Sequence, residues 1–277
     1  MSAAPRCLLF TDLDGTLLDW DTYSPAVARP AMQRLIAAGV QIVFCSSKTA
    51  TEQRALCAEV GLPGIWAIVE NGAAIIAPEN AALVNASEWV PDEHDADRAV
   101  RVLGMRRGEI LQRLEPVGQR VGLKLHGYAG ITDAELAAMT GLTIAAAARA
   151  RQRDFSETLI DELPEPIWQQ LEPEFAAQGL DCRHGGRFRT VTGAGTDKGA
   201  AVTWLAAQCG AAMRTIGIGD SANDWPMLRA VQEAYVVARP DGTWTKLDLA
   251  NAQYLSGAGP AGWVQMADRV LASLQTR

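Results

Sequence analysis

The stretch Asp12-Leu13-Asp14-Gly15-Thr16-Leu17 is the strongest single signal in the chain, because it places two carboxylates directly after the apolar run Cys7-Leu8-Leu9-Phe10. That run has little polar alternation, which is typical of a central parallel strand that is buried on both faces. Asp12 and Asp14 would then lie at the carboxyl end of the strand. Ligands of open parallel sheets bind at that edge. The stretch therefore predicts a ligand site at the end of a buried strand.

Strand and helix patterns alternate on both sides of the middle of the chain. Strands are predicted at residues 6–10, 40–45, 65–69, 214–219 and 233–238. Helices are predicted between them, and the first begins at Pro25 and turns its apolar residues Val27, Ala31, Leu35 and Ile36 inward. This alternation predicts an α/β fold with a Rossmann-like, doubly wound parallel sheet and right-handed crossovers.

The alternation breaks after about residue 79 and returns at Asp197. The segment between has helix patterns that run to Leu114 and at residues 132–139, 144–153 and 165–178, with short β-like pieces at 118–130. We therefore predict a discontinuous core of residues 1–82 and 192–277, with an inserted α/β domain at residues 83–191.

Composition limits the possible partners and surroundings. The chain has 277 residues, a net charge of -7 and a pI of about 5.1, which argues against general binding to nucleic acid. Its five cysteines form no Cys-x-x-Cys pair, and its first apolar run is too short for a signal peptide or a membrane span. We expect a cytoplasmic protein with no membrane partner; the sequence does not specify its oligomeric state.

A second carboxylate cluster follows the strand predicted at residues 214–219. It contains Asp220 and Asp224, so two strand ends present four carboxylates together with Asp12 and Asp14. Carboxylates that converge in one crevice repel one another unless a cation holds them, and oxygen ligands without a nearby His or Cys favour Mg²⁺. The alternative for each cluster alone is a turn or a helix cap.

Two further segments could contact an anion. Ser46, Ser47, Lys48 and Thr49 follow the strand at 40–45, where hydroxyls and backbone N–H groups suit a phosphate oxygen. Lys198 begins the first helix after the insert and could set an ammonium against the same phosphate. Helix capping and a solvated lysine are the alternatives.

These four motifs together resemble the haloacid dehalogenase-like hydrolase superfamily. The resemblance implies that Asp12 is a nucleophile that forms an aspartyl-phosphate, and that Asp14 is the general acid and base. It further implies that Thr16 positions Asp14, that Ser46 binds the transferring phosphoryl group and that Lys198 neutralises its charge.

The resemblance also implies a cofactor and a role for the insert. Mg²⁺ would be held by Asp12, the backbone carbonyl of Asp14 and Asp220, with Asp224 and Asn223 in support. The insert resembles the large α/β cap of the Cof-like branch, in which caps close over the site and read the leaving group.

Five motifs narrow the resemblance to the mannosyl-3-phosphoglycerate phosphatases. They are Cys45-Ser46-Ser47-Lys48-Thr49, Glu70-Asn71-Gly72, Phe155-Ser156-Glu157, Gly185-Gly186-Arg187-Phe188 and Asp197-Lys198-Gly199. On this basis we expect substrate contacts from Ser47, Lys48, Asn71, Arg153, Gly186 and Arg187. Two residues depart from the family pattern, since members often have Pro at the position of Thr158 and an aromatic residue at that of Arg189.

The resemblance implies a phosphatase that acts on a small phosphorylated sugar acid, mannosyl- or glucosyl-3-phosphoglycerate. The substrate carboxylate needs a cation in the cap, for which Arg187 or Arg189 offers a bidentate fork. Arg149 and Arg153 are predicted on one helix face. Three alternatives stay open: a broad-specificity Cof-like sugar-phosphate phosphatase, a phosphomannomutase-like phosphotransferase and a non-catalytic phospho-ligand binding protein.

Overall fold

A computed structural model describes residues 7–62, 64–78, 91–95, 98–185, 188–210 and 213–275. Its strands are β1 (Cys7–Thr11), β2 (Val40–Cys45), β3 (Trp66–Val69), β4 (Ala74–Pro78), β5 (Glu93–Asp95), β6 (Arg98–Val102), β7 (Glu157–Leu159), β8 (Leu180–Gly185), β9 (Phe188–Gly193), β10 (Arg214–Gly219), β11 (Glu233–Ala238) and β12 (Ala252–Ala258). Its helices are α1 (Arg29–Ala37), α2 (Ala50–Val60), α3 (Arg107–Arg120), α4 (Asp133–Thr140), α5 (Ile144–Arg151), α6 (Glu165–Ala177), α7 (Lys198–Gln208), α8 (Trp225–Ala230) and α9 (Pro260–Gln275). No helix within these ranges has the length and apolar character that a membrane crossing requires.

The main sheet places β1 at its topological centre. The described strands form a nine-stranded sheet in the order β12-β11-β10-β1-β2-β3-β4-β6-β5, and the six strands from β12 to β3 are parallel. From β1 the order runs through β2 and β3 on one side and through β10, β11 and β12 on the other. This reversal creates a crevice at the carboxyl ends of β1 and β10. The predicted doubly wound parallel core is confirmed.

Strand β1 is buried on both faces, as its apolar run predicts. Leu9 belongs to a cluster with Leu35 of α1 and Trp263 of α9 on one face of the sheet. Phe10 belongs to the opposite cluster with Leu205 of α7. Because every side chain of β1 is fully buried, each large apolar residue contributes about 1.5–3 kcal/mol and the strand end is held firmly.

The insert has a sheet of its own. Strands β7, β9 and β8 form an antiparallel three-stranded sheet in that order. Helices α3 and α6 pack on it through an apolar cluster that includes Ile110, Trp168 and Phe175. A smaller cluster joins α4 and α5 through Leu136 and Ala147. The predicted α/β character of the insert is therefore confirmed.

The main sheet extends past the boundary predicted at residue 82. Strand β6 pairs with β4 in antiparallel fashion, and β5 pairs with β6. The chain then leaves the sheet at Leu103 and Gly104, whose N–H groups donate to the carbonyl of Ala73 at 2.9 and 2.8 Å. At the other connection β9 continues to Gly193. The sheets therefore end near Gly104 and Gly193.

Three local predictions are wrong. Helix α1 begins at Arg29 rather than Pro25, and Val27 is 58% exposed because it lies in the turn before the helix. Helix α5 ends at Arg151, so Arg153 does not share a helix face with Arg149. The β-like pieces predicted at 118–130 are the end of α3 and a single bridge between Gly127 and Leu159.

Gly72 is required by a close approach between the β3–β4 turn and Asp197, the residue before α7. Its φ is 98°, and a Cβ there would lie 2.1 Å from the Asp197 carbonyl oxygen. We expect Gly72→Ala to lower the free energy of unfolding by about 2 kcal/mol or more, because the backbone must move and the conformation is strained. Urea unfolding measures this loss.

The control for this substitution is Gly108→Ala in α3. A Cβ at Gly108 meets nothing within 4 Å, and the residue is helical. Alanine is favoured over glycine inside a helix by roughly 0.5–1 kcal/mol, so this variant should be neutral or more stable. Equal destabilisation by both substitutions would contradict the close-approach explanation.

Candidate active site

The ends of β1 and β10 bring two carboxylates together. The Asp12 N–H donates to the Ile218 carbonyl at 3.0 Å, which continues the β1–β10 ladder by one residue. Asp220 follows β10 directly, and Thr16 donates its hydroxyl to Asp220 Oδ1 at 3.3 Å. The hydroxyl of Thr16 therefore holds Asp220, and a role of Thr16 in positioning Asp14 stays a prediction. The turn between Asp14 and Thr16 requires a glycine, because the φ of Gly15 is 74°.

Lys198 joins two carboxylates inside the protein. Its Nζ donates to Asp12 Oδ1 and to Asp224 Oδ1, each at 2.6 Å, and its side chain is 1% exposed. Burial favours the neutral amine, but the two carboxylates outweigh burial and raise the pKa of Lys198. The ammonium is therefore a fixed positive charge beside Asp12.

Three carboxylates lie close enough to share a cation. Oxygen atoms of Asp12, Asp220 and Asp224 lie within 4.8 Å of one another. Burial, followed by the charge of Asp224, raises the pKa of Asp12 well above its usual value and that of Asp220 to about 7. Such crowding of negative charge and this set of hard oxygen donors fit Mg²⁺.

Both carboxylate oxygens of Asp224 accept hydrogen bonds. Its Oδ1 accepts from Lys198, and its Oδ2 accepts from the N–H groups of Asp220 and Ser221 at 3.1 Å each. Its side chain is fully buried, whereas Asn223 faces the cavity. These contacts suit Asp224 to orienting Asp220 and Lys198, the supporting role that the sequence predicts.

Asp14 lies on the outer side of the cluster. Its carboxylate pairs with Lys48 Nζ at 3.0 Å and is 40% exposed, and Lys48 also lies 3.7 Å from Glu52. Burial favours the neutral amine of Lys48, but the charges of Asp14 and Glu52 raise its pKa above the usual value. Lys48 is thus a partner of Asp14, and it does not belong to the described cavity lining.

The turn after β2 and the turn after β3 support each other. The Asn71 N–H donates to the Ser46 carbonyl at 3.0 Å, and the Ser46 hydroxyl accepts from the Lys48 N–H at 3.3 Å. Asn71 has a φ of 62°, lines the cavity with Ser47, and its buried Oδ1 has no hydrogen-bond partner among the described residues. The structure therefore brings Ser47 and Asn71 to the cavity.

Arg153 belongs to a buried network, which we call the Glu70 network, that joins the insert to the core. Glu70 accepts from the backbone N–H groups of Asp154 and Phe155 at 2.8 and 3.1 Å and from the Ser156 hydroxyl. Arg153 donates to Ser156 Oγ at 2.7 Å and to the Ser47 carbonyl at 2.8 Å. Its guanidinium thus holds the turn that carries Ser47.

The cluster opens into a cavity of about 560 Å³. The insert contributes one wall with Arg183 and His184 of β8 and Thr190 and Thr192 of β9. Sequence reasoning missed these four residues. One sequence signal could have identified two of them: Thr190 and Thr192 are two residues apart, and on a strand this spacing puts both hydroxyls on one face.

Two predicted substrate contacts, Gly186 and Arg187, lie outside the described residues. Arg189 is the alternative residue predicted to bind the substrate carboxylate. It donates to Glu165 Oε2 at 2.6 Å, and its Cζ lies 4.7 Å from the centre of the Trp168 ring. Arg189 is therefore held by α6 and is not part of the described cavity lining.

Comparison with known proteins gives one family match and close sequence relatives. A family profile described as haloacid dehalogenase-like hydrolase matches residues 9–96. The glucosyl-3-phosphoglycerate/mannosyl-3-phosphoglycerate phosphatase of Methanococcoides burtonii is 34% identical over 92% of this chain and 94% of its own length. The protein of the same name from Persephonella marina is 31% identical over 97% and 98%.

Solved structures share the fold at low identity. The sucrose-phosphatase of Synechocystis sp. PCC6803, solved in complex with sucrose and phosphate, superposes with a TM-score of 0.61 at 15% identity and covers 98% of both chains. At that identity the likeness concerns the fold alone.

Proposed function

Because the chain belongs to the haloacid dehalogenase-like hydrolases, and within them to the mannosyl-3-phosphoglycerate phosphatase family, we propose that it releases phosphate from a glycosyl-3-phosphoglycerate. It is a phosphomonoester hydrolase. The observation that carries the proposal is Asp12, held between Lys198 and the acidic cluster at the floor of the cavity.

The proposed first step transfers the phosphoryl group to Asp12. Lys198 holds Oδ1, so Oδ2 is the oxygen free of this ion pair, and it forms a bond to phosphorus as the ester bond to the leaving oxygen breaks. This step requires a proton on Asp14, which passes to that oxygen, and the ion pair of Asp14 with Lys48 corresponds to the state after the transfer. The ammonium of Lys198 offsets charge on the equatorial oxygens, and the Ser46 turn receives them.

The second step returns the protein to its starting state. Asp14, now a carboxylate, takes a proton from water as the water oxygen bonds to phosphorus and the bond to Asp12 breaks. Lys48, 3.0 Å from Asp14, stabilises this carboxylate. Inorganic phosphate and the free glycosylglycerate are the products.

Magnesium is the proposed cofactor. Asp12, Asp220 and the Asp14 carbonyl would hold it, with Asp224 and Asn223 in support, and it would supply charge neutralisation at the phosphate. The converging oxygens and the raised pKa of Asp220 support this assignment.

Magnesium should stabilise the protein more at high pH than at low pH. The pKa of Asp220 is about 7 in the folded protein and the usual lower value when unfolded, so its contribution to stability is present at low pH and is lost as pH rises through about 7. Magnesium binds the ionised form and reverses this loss. At a concentration of 100 times Kd it should add about 2.7 kcal/mol near pH 8 and far less near pH 5.5.

Urea unfolding in magnesium or in a chelator, at both pH values, measures this difference. Asp220→Asn is the matched variant and should remove most of the magnesium effect. A magnesium effect of the same size at both pH values would contradict the assignment.

Two cations among the described lining residues support a substrate with a phosphate and a carboxylate. Lys198 serves the phosphate end, and Arg183 on the insert wall offers a second cation, 54% exposed and 3.2 Å from Asp181. We propose that Arg183 contributes to binding of the glycerate carboxylate with Arg187. Arg183→Ala should raise KM for 3-phosphoglycerate esters about tenfold and leave KM for a small phosphomonoester without a carboxylate unchanged.

A substrate panel tests the function. With Mg²⁺ present, phosphate release from both glycosyl-3-phosphoglycerates should exceed that from hexose phosphates. Equal rates across hexose phosphates would favour a broad-specificity phosphatase, and phosphoryl return to sugar would favour a phosphomannomutase-like transferase. Phosphate binding without turnover would favour a non-catalytic binding protein.

The domain division stays a prediction, with a core of residues 1–82 and 192–277 and a cap of 83–191. The pairing of β6 with β4 favours a cap that begins after Gly104, and the end of β9 favours one that extends to Gly193. The wall of Arg183, His184, Thr190 and Thr192 then belongs to the cap, which supports a role of the cap in reading the leaving group.

A further inference from the structure

A short loop between β1 and α1 projects two aromatic side chains into the cavity. Asp19 closes the loop: its Oδ1 accepts from the N–H groups of Asp21 and Thr22 at 3.2 and 2.9 Å. Its backbone N–H donates to the Ser24 carbonyl and its carbonyl accepts from the Tyr23 N–H. The loop is therefore fixed by its own hydrogen bonds, although it lies at the surface.

Trp20 and Tyr23 are the large aromatic residues of the described cavity lining. They are 48% and 50% exposed, and the rest of the described lining consists of charged, polar or small residues. Trp20 packs against the turn at Gly15, where a Cβ would lie 2.6 Å from its ring. Half-exposed aromatic rings in a polar cavity offer an apolar surface that the fold itself does not use.

Tyr23 is held in an unfavourable backbone conformation. Its φ is 55°, a region that bulky side chains rarely adopt. Its ring lies 5.5 Å from Lys48 Nζ, which pairs with Asp14. Strain of this kind persists where the surrounding structure fixes it, often at a binding site.

Both rings lie beside Asp14. Trp20 packs on the residue that follows Asp14, and Tyr23 faces the lysine that pairs with it. Asp14 is the acid that protonates the leaving oxygen in the proposed mechanism, so the leaving group extends from the phosphate on this side. Because that group carries a sugar ring, the rings lie where its apolar C–H face would be.

We propose that Trp20 and Tyr23 form the binding surface for the hexosyl ring of the substrate. The inference rests on the proposed function and extends it to residues that determine specificity. The sugar stacks its C–H face on the two rings, while the hydroxyls of Thr190 and Thr192 on the insert wall are available to its hydroxyl groups.

The test compares two substrates that differ only in the sugar. Phosphate release from mannosyl-3-phosphoglycerate and from 3-phosphoglycerate is measured for Trp20→Ala and Tyr23→Asn. Asparagine is chosen because it tolerates a positive φ, so Tyr23→Asn should keep its melting temperature. Each variant should lose about tenfold in kcat/KM on the glycosylated substrate and less than about threefold on 3-phosphoglycerate.

A conservative variant and a variant of a distant residue serve as controls. Tyr23→Phe keeps the ring and should keep the preference for the glycosylated substrate. Tyr254→Ala removes an aromatic residue that is 40% exposed outside the described cavity lining and should change neither substrate. Equal losses of Trp20→Ala and Tyr23→Asn on both substrates would overturn the proposal, because they would indicate a structural role or an effect through Lys48.

Failure of the proposed function gives a different result. If the unaltered protein does not hydrolyse mannosyl-3-phosphoglycerate, the same comparison is made between mannose 6-phosphate and glycerol phosphate. A loss confined to the hexose phosphate would support the sugar surface without the glycosylglycerate assignment. Equal losses on that pair would overturn the sugar surface as well.

Discussion

Replacing Asp12 by asparagine is expected to lower kcat by about 10⁴-fold or more while the fold remains intact. The amide nitrogen and oxygen cannot form the bond to phosphorus that a carboxylate forms. Lys198 keeps its contact with Asp224, and Asp12 is buried beside the carboxylates of Asp220 and Asp224, so loss of one negative charge should leave the free energy of unfolding unchanged or raise it. Phosphate release under single-turnover conditions and urea unfolding measure the two effects.

A second aspartate gives the control for this substitution. Asp248→Asn changes an exposed carboxylate outside the described cavity lining and should retain full activity. In the active protein, trapping of a phosphorylated species by acid quench should give a product that Asp12→Asn does not form. Turnover of Asp12→Asn at the rate of the unaltered protein would contradict the mechanism.

Replacing Lys198 by methionine should abolish activity and also destabilise the fold. The substitution leaves the carboxylates of Asp12 and Asp224 buried without the ammonium that now contacts both at 2.6 Å. Loss of one partner from a buried ion pair costs about 3–5 kcal/mol. The free energy of unfolding near pH 7 should fall by an amount in this range.

The pH dependence of Lys198→Met separates this electrostatic cost from poor packing. Lys198 lowers the pKa of Asp12 in the unaltered protein, so without the ammonium that pKa rises further above its value in the unfolded chain, and protonation relieves part of the cost. The contribution of Asp12 to stability is then present at low pH and lost as pH rises, so the deficit should shrink between about pH 7 and pH 5. Lys246→Met, at an exposed position, is the control. A deficit independent of pH would indicate packing loss instead.

The buried parallel strands could be predicted because each is specified by its own short run of residues. β1, β2 and β10 are short apolar runs followed by polar turns, and the structure has them within one residue of the prediction. β4 and β12 were missed for opposite reasons. β4 follows β3 with only a four-residue turn between them, and β12 is an edge strand in which only Leu255 is fully buried.

The site was predictable in its residue types and less so in its contacts. The spacing of Asp12, Asp14 and Asp220 after buried strands predicted a shared carboxylate crevice, and the structure brings Asp12 and Asp220 together. The partner of Thr16 is Asp220, which is 204 residues away, and nothing local specifies such a contact. The cap wall likewise depends on how β8 and β9 lie over the core, which only tertiary packing determines.

The Glu70 network shows the same limit. Glu70, Ser156 and Arg153 belong to, or lie close to, two of the family motifs, yet their mutual contacts were not predicted. A buried glutamate in a strand-end turn indicates a partner without naming it. The partner is the backbone of residues 154–155 across the boundary between core and insert.

The pairing of β6 with β4 bears on how chimeras between relatives should be cut. A crossover at residues 82–83 would replace β6 with a foreign segment and separate β4 from its own neighbour. If the foreign segment pairs poorly with β4, an apolar strand edge is exposed and can associate with other chains. Crossovers after Gly104 and after Gly193, where Gly193 lies against Met105, keep the native sheet whole and exchange only the specificity wall.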